Sequence, residues 1–230
     1  YKLIDDKSKI FKKINYLIKK SNFVGGGEVK KFENNFKKYL KVKYCVSLAN
    51  GTDALEIAVQ SLNLKKNSEI IVPVNSWIST AEAVVNNGLR VVFCDINLDD
   101  YSICIHDLNK KINKNTSAII PVHLFGIATN VDQIKKIVKN RNIKIIEDCA
   151  QAHGTKYNNK LVGTFGDISC YSFYATKHMT TGEGGMLCTN SRKFMMTSKI
   201  FRSHGMVSRD EHDTLGYNYR MNEIAAQIGI

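Results

Sequence analysis

Proline is nearly absent, with Pro73 and Pro121 the only two in the chain. No Pro-rich stretch, low-complexity run or internal repeat occurs, which excludes extended linkers and solenoid arrays and leaves one continuous domain. The six cysteines (Cys45, Cys94, Cys104, Cys149, Cys170 and Cys188) include no C-x-x-C pair. Several lie inside apolar runs such as Val91-Val92-Phe93-Cys94, where a free thiol acts as a small hydrophobe. A disulfide scaffold is therefore excluded, and a reducing compartment is expected. No apolar run approaches the ~18 residues of a membrane span, and Tyr1-Lys2-Leu3-Ile4-Asp5-Asp6 lacks the apolar core of a signal peptide. The expectation is a cytoplasmic location and no membrane partner.

What is present suits a folded domain. The chain has 230 residues, 43% hydrophobic and 23% charged, enough to bury roughly 70% of the surface its unfolded form exposes. The formal charge is +12 and the pI about 9.4. Charge alone would suggest nucleic acid, and a basic nucleic-acid-binding domain is one alternative. The lysines, however, stand in ones and twos along most of the sequence and lack the clustered basic-plus-aromatic pattern of a nucleic-acid-binding face, so no nucleic-acid partner is expected. The chain starts at Tyr1 and stops at Ile230 inside the helix-like run from Met221, which reads as a piece of a longer protein.

Short β-rich runs alternate with amphipathic stretches, the signature of an α/β domain with a mainly parallel sheet. Strands are expected at Glu69–Val74, Leu89–Asp95, Ala118–His123, Ile143–Asp148, Ile168–Phe173 and Gly185–Cys188. Helices are expected at Glu28–Leu40, Thr52–Leu62, Ile78–Asn86 and Val131–Val138, preceded by an N-terminal helix over about Asp6–Lys20. In such sheets ligands bind beyond the carboxyl ends of the strands.

Four places there carry chemistry. The small-residue turn Asn50-Gly51-Thr52 opens a helix, where free N–H groups and the Thr52 hydroxyl suit an anion, although an ordinary helix cap explains the same residues. Glu147 and Asp148 end a buried strand, and Asp148 is a candidate counter-ion or a turn cap. His153, four residues after Cys149, has no second ligand pair nearby, so no metal site is expected. Lys177 follows a β-rich run and precedes a Gly-rich turn, where a lysine can serve as a nucleophile toward carbonyls or be one surface lysine among many. Trp77, the single tryptophan, is core filler or a cover for a flat heteroaromatic. An anion cradle, a flat aromatic, a strand-end carboxylate and a strand-end lysine are together the parts needed to hold pyridoxal phosphate.

These residues bring out a family likeness. From about Phe23-Val24-Gly25-Gly26-Gly27 to Ile230 the chain resembles the DegT/DnrJ/EryC1/StrS nucleotide-sugar aminotransferases, most specifically over Tyr171–Gly185 and Glu147–Gly154. The resemblance implies a three-layer αβα large domain of the type I aminotransferase fold with a mainly parallel sheet. It divides the chain into an N-terminal helical arm, 1–20, and a pyridoxal-phosphate-binding large domain, 21–230, cut off at its C-terminal end, with the family's smaller C-terminal domain missing. It implies Lys177 as the Schiff-base lysine and Asp148 as partner of the pyridine nitrogen. Gly51, Thr52 and Ser172 would hold the phosphate, Trp77 would stack on the ring and Gln151 would lie on its other side. Asn218 or Arg220 would reach the cofactor of the other subunit in a homodimer. The implied reaction moves an amino group from an amino acid, glutamate by family analogy, to a keto-sugar on a nucleotide diphosphate, for amino-sugar and surface-polysaccharide biosynthesis. Some relatives are sugar dehydratases with histidine in place of the lysine; Lys177 favours transamination here, and Thr180–Gly185 resembles members acting on C4 of 4-keto-6-deoxy sugars. A non-catalytic cofactor-binding or regulatory fragment remains the alternative.

Overall fold

The alternating runs become the strands of one seven-stranded sheet in a computed structural model that describes residues 7–230. The strands are β1 (Tyr44–Leu48), β2 (Glu69–Pro73), β3 (Arg90–Cys94), β4 (Thr116–Ile119), β5 (Lys144–Asp148), β6 (Ile168–Ser172) and β7 (Gly185–Thr189). Their spatial order is β1-β7-β6-β5-β4-β2-β3, and every neighbouring pair is parallel except the two made by β7.

Helices cover both faces. On one, α3 (Gly51–Ser61), α4 (Ser79–Asn86) and α7 (Arg192–Arg202) pack over Val46, Leu48, Ile70, Val72, Ile146 and Leu187. On the other, α2 (Gly27–Leu40) and α8 (Glu223–Gly229) cover Tyr171, Phe173 and Met186, while α5 (Ile105–Lys111) and α6 (Val131–Val138) cover Ile71, Ile119 and Ile145. Residues alternate between these cores because strand side chains have a period of two. The result is the three-layer αβα arrangement, and α1 (Lys7–Lys19) lies against α8 with Leu17 buried.

Some boundaries differ from expectation for physical reasons. Strand β4 stops at Ile119, although the apolar run continues to His123, because Pro121 has no N–H to give the ladder. Extended pairing resumes beyond it, where Asp148 N–H donates to Pro121 O at 2.9 Å. The sequence reading missed β1, a five-residue run close behind α2, and the helices α5 and α7. The N-terminal helix is seen from Lys7; Asp6, where it was expected to begin, is outside the described residues. Nor are the lysines spread evenly: residues 7–43, which contain α1 and α2, hold twelve lysines and two glutamates, a formal +10 against +12 for the whole chain.

One buried carboxylate organises the centre. Glu147 is fully buried. Its Oε1 accepts from the N–H groups of Phe165 (2.7 Å) and Gly166 (2.6 Å), and its Oε2 from Gly163 N–H (2.8 Å) and His123 Nε2 (3.0 Å). Thr129 N–H donates to His123 Nδ1 at 3.1 Å, so the ring proton sits on Nε2, facing Glu147. Burial by itself would raise the Glu147 carboxyl, but the bonds from His123, Gly166 and Gly163 outweigh it and hold the group below its ordinary value. His123, Glu147 and Cys149 lie within 4.8 Å of one another, a spacing that suits a metal. The lone pairs that a cation needs on His123 and Glu147 are already engaged, and burial pushes the Cys149 thiol far up, away from the thiolate form.

Removing this acceptor leaves three N–H groups, one buried and two half-buried, and the His123 Nε2–H unpaired. Glu147→Ala is expected to lower unfolding free energy by about 3–5 kcal/mol, read from urea melts; a loss under about 1 kcal/mol would contradict this role.

Candidate active site

The carboxyl ends of β1, β2, β5 and β6 bring most of the expected residues together. At the end of β1 the chain turns into α3. Asn50, in extended conformation, caps that helix by accepting from Asp53 N–H at 2.8 Å. The ordinary cap considered for this turn is therefore made by Asn50. No hydrogen-bond acceptor meets the Gly51 and Thr52 N–H groups among the described residues, so both remain available to an anion at a helix N-terminus. Gly51 is required by space: a Cβ there would lie 2.6 Å from the Ser172 Cβ. Gly185, at the start of β7, is as constrained, since its Cβ would meet the Asn50 carbonyl oxygen at 2.0 Å. Three strands thus converge on one turn.

The hydroxyls beside it form a relay. Thr52 Oγ1 lies 2.8 Å from Ser79 Oγ, at the start of α4. The next residue, Thr80, donates to Asp148 Oδ2 at 2.9 Å, and Ala150 N–H reaches Oδ1 at 3.1 Å. Asp148 is 4% exposed. Burial pushes its carboxyl up; the bonds from Ala150 and Thr80 and the charge of Lys177 pull it down without cancelling that effect. Ser79 and Thr80, absent from the sequence-based site, join the anion turn to the acid. Their signal was a pair of hydroxyl residues opening a helix just after a buried strand.

Lys177 is half-buried after β6, its N–H bonded to Tyr174 O at 2.9 Å. Its loop is stiffened from within: Thr181 N–H and Thr180 Oγ1 both donate to Phe173 O, at 2.9 and 3.1 Å. Ser172, which ends β6, accepts from Tyr174 N–H at 3.3 Å. Trp77 is 73% exposed, so it is not core filler; its carbonyl accepts from Thr80 N–H at 3.1 Å, which fixes it beside the relay. Gln151 holds a different neighbour, accepting from Phe125 N–H at 2.9 Å. Asn218 stands apart. It is exposed, pairs with Ser203, and shares no hydrogen bond with the rest of the set among the described residues.

The family model for the DegT/DnrJ/EryC1/StrS aminotransferase family matches residues 4–230. The chain belongs to this family. Among DegT/DnrJ/EryC1/StrS relatives, GDP-perosamine synthase of Escherichia coli O157:H7 is 40% identical over 207 residues, which are 89% of this chain and 57% of that protein. The dTDP-3-amino-3,6-dideoxy-alpha-D-galactopyranose transaminase of Aneurinibacillus thermoaerophilus is 35% identical, over 94% of this chain and 60% of its own length. Among solved structures, Helicobacter pylori PseC, an aminotransferase of pseudoaminic acid biosynthesis, superposes with a TM-score of 0.92 at 31% identity, over 97% of this chain and 62% of its own. The E. coli GDP-4-keto-6-deoxy-D-mannose-3-dehydratase with bound hydrated PLP gives 0.92 at 31%, over 97% and 64%. The chain thus spans less than two thirds of each of these proteins.

His153 was considered from the sequence only as a metal ligand. Its ring centroid lies 5.4 Å from those of Tyr171 and Phe173 and 6.5 Å from that of His178, and neither buried ring nitrogen has a hydrogen-bond partner among the described residues. Burial, then the charges of His178 and Lys177, push its pKa down to about 4. Between about pH 6.5 and 4 the unfolded chain therefore takes up a proton that the folded chain refuses. Stability should fall with pH across that window, by up to about 3 kcal/mol from this group. In His153→Phe that contribution should vanish, so the wild-type minus variant difference in urea midpoint should shrink as pH drops; a difference flat from pH 7 to 4 would refute the assignment.

Proposed function

We propose that the chain is the cofactor-binding part of a pyridoxal-phosphate-dependent aminotransferase acting on a nucleotide-linked keto-sugar. In this reading residues 21–230 form the cofactor-binding domain and 1–20 a helical arm. The observation that carries it is the convergence, at one sheet edge, of an anion turn with free N–H groups, a buried carboxyl and a loop-held lysine.

The residues fit that cofactor. The Gly51 and Thr52 N–H groups, with the hydroxyls of Thr52 and Ser172, form a donor set for a phosphate monoester, and the missing Cβ of Gly51 keeps the cradle open. Asp148, whose burial leaves it short of a positive partner, suits a protonated ring nitrogen. Exposed Trp77 would offer an aromatic face to the ring, and Gln151 would lie on the ring's other side. Bound there, the cofactor supplies an electron sink for the charge left when a Cα proton departs.

The chain's own residues do the rest. Lys177 would hold the cofactor through its amine and, once displaced by the donor amino acid, would carry the donor's Cα proton on Nζ to the cofactor; in the return half-reaction it would carry a proton from the cofactor to the keto-sugar carbon that gains the amine. Asp148 keeps the ring nitrogen protonated, and Thr80 and Ala150 fix its two oxygens. Excess positive charge favours an anionic sugar nucleotide. The substrate class follows the relatives, which are named for GDP- and dTDP-linked amino sugars; within it we propose a 4-keto-6-deoxy sugar, with L-glutamate as donor. Asn218 supports a homodimer. Tyr217 and Tyr219 stack at 4.5 Å and Tyr219 Oη donates to Glu56 at 3.1 Å, which leaves Asn218 between them exposed for a second copy's site.

One observation favours a second reading, a non-catalytic cofactor-binding fragment: the chain spans 57% of its perosamine synthase relative. The two readings separate cleanly. Both predict that borohydride fixes pyridoxal phosphate to the Lys177 peptide by mass spectrometry and that Lys177→Ala abolishes the adduct; labelling elsewhere would overturn both. Only the first predicts amino transfer from glutamate to a keto-sugar nucleotide, with Asp148→Asn slowing turnover by on the order of 10²-fold or more.

A further inference from the structure

Helix α1 contains no acidic residue, and its inner side, with Leu17 buried and Ile10 and Ile14 half-buried, rests against the protein. Phe11 and Ile18, seven positions and two helical turns apart, share another face and are 63% and 48% exposed. Lys7, Lys12 and Lys19 on this helix and Lys20 in the turn that follows are exposed and form no ion pair among the described residues. The two glutamates of the 7–43 segment do not offset them, since Glu28 pairs with Lys13 at 2.7 Å and Glu33 with Arg202 at 2.9 Å.

An exposed apolar stripe ringed by lysines has the pattern of a helix lying in a charged interface. We propose that α1 docks this face on an anionic phospholipid surface, with Phe11 and Ile18 entering the headgroup boundary and Lys7, Lys12, Lys19 and Lys20 meeting lipid phosphates. Charge complementarity selects the occupant. A second copy would set one strongly positive face against another. Nucleic acid is disfavoured because the segment's cations are all lysines, without the arginine fork that grips phosphate bidentately. The expected absence of a membrane partner rested on the lack of a long apolar run. Among the described residues no helix is long and apolar enough to cross a membrane, and the proposed contact lies along the surface instead. It is independent of the chemistry proposed above.

The test is co-sedimentation of the chain with vesicles of phosphatidylcholine alone and of phosphatidylcholine mixed with phosphatidylglycerol. Binding is expected to the mixed vesicles only, and to weaken steeply as salt rises from about 0.05 to 0.5 M. Lys12→Gln with Lys19→Gln should weaken it by on the order of twentyfold. Phe11→Ser with Ile18→Ser should weaken it roughly tenfold or more at unchanged charge. Circular dichroism confirms that each variant keeps its fold, and the two pairs of substitutions serve as independent checks. Equal binding to both vesicle types, or none to the mixed vesicles at low salt, would overturn the proposal. So would binding to duplex DNA in place of vesicles, unaffected by Phe11→Ser with Ile18→Ser.

Discussion

The Glu147 carboxylate is the constraint on which the centre of the molecule depends. Its four donors come from two separate segments, the Gly163–Gly166 loop and His123, so one side chain ties both to the middle strand of the sheet. The loop it holds also receives the Tyr171 hydroxyl, at Val162 O. Because strand residues alternate, the next residue, Asp148, faces the opposite way, toward α4. Two adjacent carboxylates thus have separate tasks. One is saturated with donors and held ionised; the other has two donors, is pushed up by burial, and is free to take a cationic partner.

The site around Asp148 gains its rigidity from contacts that leave no spare room. Gly51 against Ser172 and Gly185 against Asn50 are approaches that admit no Cβ, so the anion turn is seated by backbone and not by adjustable side chains. The hydroxyls of Ser79 and Thr80 then carry that placement across to the acid. Such short-range coupling holds several functional groups in register with few residues.

Much of this was legible in the sequence, because the strands near the site are buried on both faces and read as continuous apolar runs. Residues 143–148 and 168–173 announced themselves in this way, and the polar residues ending them, Asp148 and Ser172, were found by position alone. Strand β1 was harder: Tyr44–Leu48 is short, contains Ser47, and follows α2 after a brief lysine-bearing turn. The sequence leaves open which residue of the turn caps α3, because Asn, Thr and Asp all cap helices and only geometry singles out Asn50. Trp77 illustrates a different limit, since a lone aromatic has no period from which to infer whether it points in or out. The charge was misjudged for a related reason. Lysines scattered in ones and twos look diffuse in the sequence, yet α1 and α2 gather them on one pair of helices.

Strand β7 has a consequence for how the chain is made. β1 pairs with no other strand in the sheet, and the cross-strand neighbours Cys45 and Cys188 are 143 positions apart in sequence. On a ribosome adding ~5–20 residues per second, β1 and the turn after it emerge roughly ten seconds before the strand that seats them. Through that interval α3, most of whose residues end up buried, has only part of its eventual cover, so the nascent chain carries a sticky, half-sheltered helix until β7 arrives and closes the edge.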